Sequence, residues 1–308
     1  MTEQTSPRVV NFMSFRWVAT ILSTLLIAAS IASISVKGLN FGLDFTGGTL
    51  LELEYEQPAD LATIRERLNA EGFEHFTVIN YGSERDVMIR MKGTGSAQQN
   101  DAILNLLKSS GEEITLKRGE YVGPQVGGEL REQGILAMVS ALVVMMIYVS
   151  VRFQYKFSIG AVTALAHDVI ITIGLFSFFG WTFDLTVLAA VLAVIGYSLN
   201  DTIVVSDHIR EGFRKLRSDD SIFVINAAIT QTLERTVITS FTTLLVVLSL
   251  FYFGGEMIHG FATALLIGIV VGTYSSIYMS ANVLVTLRLC REDLLQKDSE
   301  EIDPNGVV

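Results

Sequence analysis

The sequence predicts a polytopic α-helical membrane protein with six transmembrane helices and one ferredoxin-like α+β domain between the first and second helices. Three observations predict it. Half of the 308 residues are hydrophobic and 18% are charged. With a mean hydropathy of +0.46, that balance suits lipid better than water. Apolar runs of about twenty residues recur, each roughly 30 Å as a helix and so long enough to cross a bilayer core. Between the first two runs lies a stretch of another kind, 37–134, with alternating strands and short amphipathic helices.

Residues 1–16 carry Arg8 and Arg16 and are expected to lie on the cytoplasmic side, with 17–36 as the first transmembrane helix. Small residues (Ala32, Ser33, Ser35) close that run as they would a signal peptide. The run is long for a signal core, however, and more spans follow, so it is read as a retained helix.

The domain at 37–134 starts with NFGLDFTGGT and the strand LLELEYE. Asp60 is placed to cap a helix through Asn69 or Ala70, with Leu61, Ile64 and Leu68 on its apolar face. HFTVIN and DVMIRMK read as strands, Ala97–Lys108 as a second helix and ITLKRGEYVG as a last strand. The order βαββαβ is that of a split ferredoxin-like unit. Between Leu39 and Gly134 there are 16 acidic against 9 basic residues, so the domain offers no basic patch for nucleic acid. It has no Ser/His/Asp arrangement, no histidine cluster and no phosphate-binding loop, and His75 reads as a surface strand residue. Recognition by shape is expected of it, not catalysis. The chain's single cysteine, Cys290, excludes an internal disulfide or a thiolate metal site, and no cofactor is expected.

Residues 135–289 are read as a five-helix region with spans near 135–151, 157–179, 185–205, 237–253 and 261–289, followed by a tail at 290–308. A hydrophilic stretch, HIREGFRKLRSDDS, interrupts it after the fourth span. Arg8, Arg16, Arg152, Lys156, Arg210, Arg214, Lys215, Arg217, Arg288 and Arg291 all fall on one side, whereas the short turns GWTFD and GGEMIH carry no Lys or Arg. The excess of positive charge puts both termini in the cytoplasm and the domain outside.

Polar residues inside the spans mark the candidate site. Asp201 interrupts an apolar helix, where a carboxylate costs a few kcal/mol and normally faces a partner, a cavity or a proton path. Tyr197, Asp201 and His208 share one helical face, with Asn200 and Asp207 on the next. Counted from the outer ends, Asp201 lies 16 residues down its span and Arg235 lies 18 residues above Phe253. These depths are about 24 and 27 Å, so the two can meet on successive helices. Arg235, Thr239 and Thr242 form a polar stripe; the competing reading of Arg235 is an anchor snorkelling to the headgroups. His167 and Asp168 interrupt the third span, either as an accessory relay or as a polar pair stitching helices together. Gly268, Gly272, Ser276 and Ser280 make a small-residue face on the sixth span, expected to serve close helix packing and to leave a contact for a partner chain. Tyr274 and Ser275 are its polar neighbours.

With these residues in view, the chain resembles the SecF branch of the bacterial SecD/SecF family of protein-export membrane proteins. FGLDFTGGTLLELE at 41–54 is similar to the family signature after the first helix. AHDV at 166–169, AVIGYSLNDTIVVSDHIRE at 193–211 and ERTVITSFTTLL at 234–245 resemble its inner-helix motifs, and 254–281 its last hairpin. His208 departs from the pattern, which has Arg there. The resemblance implies half of a transporter of the resistance-nodulation-division type in the bacterial inner membrane, with its domain in the periplasm. It implies SecD as the partner supplying six further helices, and the SecYEG translocon and an exported polypeptide as further partners. It implies use of the proton motive force, with Asp201 and Arg235 matching the family's proposed proton-relay residues.

Two other functions compete. Asp168 and Asp201 could form the acid/base dyad of an intramembrane aspartyl hydrolase, although a guanidinium beside Asp201 would hold it ionised. No HExxH helix supports a zinc enzyme. The other alternative is a small-molecule exporter of the same superfamily, for which a single external domain of this size is small. The reading adopted is non-enzymatic.

Overall fold

The computed structural model describes residues 9–73, 76–92, 97–109, 113–216, 218 and 220–295; His75 lies outside the described residues. A 3-10 turn, Phe12–Phe15, leads into α1 (Arg16–Lys37), which ends at Gly38. β1 (Asn40–Phe41), the one-turn α2 (Leu43–Thr46) and β2 (Gly48–Tyr55) follow. The domain continues with α3 (Leu61–Ala70), β3 (Phe76–Tyr81), β4 (Ser83–Lys92), α4 (Ala97–Lys108) and β5 (Ile114–Val122). The bundle comprises α5 (Pro124–Arg152), α6 (Tyr155–Phe179), the short β6 (Thr182–Phe183), α7 (Leu185–Leu216), α8 (Ser221–Phe253) and α9 (Glu256–Thr286), with α10 (Arg291–Leu295) after it. Among the described residues six helices are long and apolar enough to cross a membrane.

The domain has the ferredoxin-like order: an antiparallel sheet β3-β4-β2-β5, with α3 and α4 on one face. Alternation along the strands decides which side chains go where. Leu51, Leu53, Val87 and Ile89 point to the helices and are fully buried against Ile64 and Leu68 of α3 and Ile103 and Leu107 of α4. Each such leucine or isoleucine contributes about 1.5–3 kcal/mol. Asp60 caps α3, accepting from Ala62 N at 2.9 Å and Thr63 Oγ1 at 2.7 Å. The other face, Leu50 and Met88 among it, packs on Leu43. It roofs a cavity of about 790 Å3 over the outer ends of the bundle, lined by Glu52, Arg90 and Arg118 above and Trp181, Met257 and His259 below.

The glycine-rich segment joins domain to bundle. β1 pairs in parallel with β6, Asn40 opposite Thr182 and Phe41 opposite Phe183. Phe41, Phe45, Phe176, Trp181 and Phe183 form an aromatic cluster there. Gly48 adopts φ 136°, and a Cβ on it would stand 2.1 Å from the Met91 carbonyl. Only glycine fits both demands. A Cβ on Gly47 would stand 2.6 Å from Cα of Pro124, the residue that opens α5.

In the bundle, α9 is surrounded by α6, α7 and α8, while α1 and α5 pack on the outside of α6. The helices outrun the apolar runs seen in the sequence. The helix of the fourth span, whose apolar run ends near 205, continues to Leu216, and the next helix resumes at Ser221, ahead of the fifth apolar run at 237–253. The physical reason is amphipathicity: Ile209 and Phe213 are buried, in one apolar cluster with Val224 and Ile225, although charged residues surround them in sequence. Asp220 caps the returning helix, accepting from Ile222 N at 3.0 Å. The second span likewise begins at Pro124, so residues 124–134, expected within the external domain, are helix. The segment after 289 is not wholly solvated, since Leu294 is buried.

Candidate functional site

Two polar seams run through the bundle, both against α9. One joins α7, α8 and α9. Tyr197 donates to Ser240 Oγ at 3.1 Å, and Ser240 meets Thr273 at 2.7 Å. One turn further along α7 is Asp201, 5% exposed, whose Oδ2 is buried and has no hydrogen-bond partner. Arg235 of α8 is near enough for its charge to act on Asp201, yet no ion pair joins them. The arginine is exposed on the flank of the bundle. A buried carboxylate oxygen without a donor is open to a proton, and a cation standing off can favour its release again.

The second seam joins α1, α6, α7 and α9 around His167 and Asp168, each 1% exposed. His167 Nδ1 lies 2.9 Å from Asp168 Oδ1. Asp168 Oδ2 accepts from Ser198 Oγ at 2.6 Å and from Ser275 Oγ at 2.8 Å. His167 Nε2 lies 3.1 Å from Ser23 Oγ, which lies 3.0 Å from the Tyr274 hydroxyl, and Tyr274 donates to the Ala19 carbonyl at 2.8 Å. Asp168 is thus engaged by three groups and shares no hydrogen bond with Asp201, unlike the paired carboxylates of an acid/base dyad.

The remaining residues singled out in the sequence fall as follows. Asn200 is exposed on α7. Thr239 is half-buried, its carbonyl accepting from Thr242 and Thr243. His208 meets the Val204 carbonyl of its own helix at 2.9 Å. The small-residue face of α9 was expected to leave a contact for a partner, but the chain occupies it. A Cβ on Gly268 would stand 2.1 Å from Val194, and one on Gly272 3.1 Å from Cβ of Ser198 and 3.5 Å from Asp168 Oδ2. Ser276 is fully buried. The partner contact is therefore not explained by α9; close approach of α7 and α6 uses it up.

The sequence reading missed Ser23, Ser198, Ser240 and Thr273. A lone hydroxyl in an apolar span gives no signal of its own, because it can satisfy itself on the carbonyl four residues back. Only the neighbouring helix shows whether it does more.

Six membrane-length helices among the described residues, with a folded α+β domain at one end of the bundle, define a polytopic membrane protein. The chain belongs to the SecD/SecF family of protein export membrane proteins. The family profile described as "Protein export membrane protein SecD/SecF, C-terminal" matches residues 102–289, and the "SecD/SecF GG Motif" matches residues 32–59. The chain is 50% identical to the protein translocase subunit SecF of Vibrio alginolyticus, over 96% of each chain. It is 44% identical to that of Escherichia coli O157:H7, over 96% of this chain and 93% of the relative. The crystal structure of SecDF from Thermus thermophilus, a translocon-associated membrane protein, superposes with a TM-score of 0.82 at 36% identity. That match covers 93% of this chain and 40% of the solved one.

Proposed function

We propose that the chain acts as the SecF-type subunit of a SecD–SecF complex, using the proton motive force to assist polypeptide translocation by the SecYEG translocon across the bacterial inner membrane. The observation that carries the proton step is Asp201, buried in the bundle with Oδ2 unpartnered and Arg235 within electrostatic reach. The available drive is roughly 2.3 kcal/mol per charge per 100 mV. Protonation makes Asp201 neutral and a donor; approach of Arg235 restores the ionised form and releases the proton. His167, Asp168, Tyr197, Asn200 and Thr239 are accessory to that pair in this reading.

A partner bundle is supported by what the six helices leave open. Ala193, Gly196 and Asn200 on α7 and Arg235 on α8 are exposed, and nothing lies within 4 Å of where a Gly196 Cβ would stand. Transporters of this kind are often built from two pseudo-symmetric halves with the site at their junction. This chain spans 40% of the solved SecDF chain, which leaves room there for a second half. We place the SecD-like half against α7 and α8, both termini in the cytoplasm by the distribution of Lys and Arg, and the domain in the periplasm, where it meets the exported polypeptide. The relatives' description as translocase subunits supports a non-enzymatic role.

The test is Asp201→Asn in membrane vesicles carrying both subunits. Normal insertion and complex formation with loss of proton-gradient-stimulated translocation is expected. Full stimulation at normal expression would remove Asp201 from the mechanism.

A further inference from the structure

The seam around His167 lends itself to counting hydrogens. Tyr274 has one hydroxyl hydrogen, and the Ala19 carbonyl at 2.8 Å can only accept it. The 3.0 Å contact between Tyr274 and Ser23 must then use the single hydrogen of Ser23. With that hydrogen spent, Ser23 can only accept at 3.1 Å from His167 Nε2, so Nε2 must carry a hydrogen. At the other end of the ring, 2.9 Å separates Nδ1 from Asp168 Oδ1, which needs one hydrogen on either atom. The second carboxylate oxygen takes its hydrogens from Ser198 at 2.6 Å and from Ser275 at 2.8 Å, the latter hydroxyl standing closer to it than to the Gly272 carbonyl at 3.1 Å.

The total is one hydrogen more than a carboxylate and a neutral imidazole possess together. Either the ring is an imidazolium facing a carboxylate, or the acid is protonated on Oδ1 against a ring protonated at Nε2. Both describe the same pair, net neutral and holding one proton. The groups that face it are Ser23 from α1, Ser198 from α7 and Tyr274 and Ser275 from α9; among the described residues no Lys or Arg is a hydrogen-bond or ion-pair partner of it.

We infer that His167 and Asp168 form a second proton-binding centre, separate from Asp201, whose proton orients the line His167–Ser23–Tyr274–Ala19 and so fastens α1 to the bundle. When that proton leaves, the line is one hydrogen short and one of its contacts opens. The ionised carboxylate then holds the remaining ring hydrogen on Nδ1 in a charge-assisted bond, so the contact that opens is the one from Nε2 to Ser23 on α1, the helix that leads to the external domain. The inference rests on the hydrogen count and not on the export reading.

The experiment is nitrogen NMR of 15N-histidine-labelled full-length protein in nanodiscs near neutral pH. The His167 signals are assigned by their loss in His167→Gln and, should that variant fail to fold, by their shift in Ser23→Ala. A hydrogen-bearing Nε2 is expected, whichever atom holds the second hydrogen, and Asp168→Asn should release the extra proton. A bare Nε2 with hydrogen on Nδ1 alone would overturn the inference. An unchanged ring in Asp168→Asn puts the extra proton on the acid and requires a protonated-carboxyl infrared band that vanishes in that variant; absence of both signs would also overturn the inference. A protonated Nε2 in protein whose Asp201→Asn variant still translocates would leave this centre standing and the Asp201 reading fallen.

Discussion

Asp44, in the glycine-rich segment of the domain junction, accepts from the backbone N–H of Leu185 at 3.0 Å, the first residue of α7. Asp184 accepts from Val187 N at 2.9 Å in the same first turn. Two carboxylates therefore sit where the helix has free N–H groups and a partial positive charge. The helix capped in this way is the one that carries Asp201, so the domain junction and the candidate site share a single rigid element.

Asp44→Ala should therefore destabilise the protein by about 0.5–2 kcal/mol, the range for loss of a cap. Asp44→Asn should lose less, because the amide oxygen can still accept. Thermal unfolding in detergent measures both. Equal effects from the two variants would mean that charge on the helix end, and not the hydrogen bond, is what matters.

Arg235→Met should leave Asp201 holding its proton and stall translocation at the release step. Arg235→Lys should retain more activity than Met but less than the parent, since a point charge replaces a planar fork. Translocation rates under an imposed proton gradient compare the three. Met and Lys variants with equal, full activity would reduce Arg235 to an interfacial anchor.

Gly268→Ala puts a methyl group 2.1 Å from Val194 where α9 packs on α7. Overpacking of this kind costs typically 1–3 kcal/mol. Adding Val194→Ala should recover part of that, because the two nearest atoms are the valine methyls. Unfolding curves of the single and double variants give the coupling; strict additivity would show that the two helices do not meet there.

In the external domain Lys117 donates to Asp86 at 2.7 Å and holds its carboxyl below the usual carboxylate range, with Ser83 helping. A depressed acid contributes stability that is present above its unfolded value and lost as the pH falls through its folded value. Urea unfolding of residues 39–122 expressed alone, which carry their own apolar core, should thus show a midpoint that declines as the pH falls below the ordinary carboxylate value of 3.8. Asp86→Asn should flatten that decline; an unchanged profile would place the acid sensitivity elsewhere.

The sequence by itself determined the six spans and the ferredoxin-like domain between the first two helices, and it singled out Asp201 and Arg235 as the polar pair to place. Each is written locally. Periods of two and of 3.6 residues appear wherever one side of an element is buried, and an ionisable group in an apolar run stands out because lipid cannot solvate it. The tertiary structure decided what depends on a neighbouring helix. Ile209 and Phe213 carry α7 beyond its apolar run because they share a buried apolar cluster with Val224 and Ile225 of the returning helix, and a reversal of the chain between two helices is not read from the period of either. Gly268 and Gly272 serve α7 and α6 within the chain, although a small-residue stripe reads the same whether its partner is internal or external. Asp168 and Asp201 look alike as letters. Three helices converge on Asp168 with hydroxyls and an imidazole, while Oδ2 of Asp201 meets none. Hydrogen bonds form only within about 3 Å, and in a helical bundle only side-by-side packing brings side chains from distant parts of the chain that close.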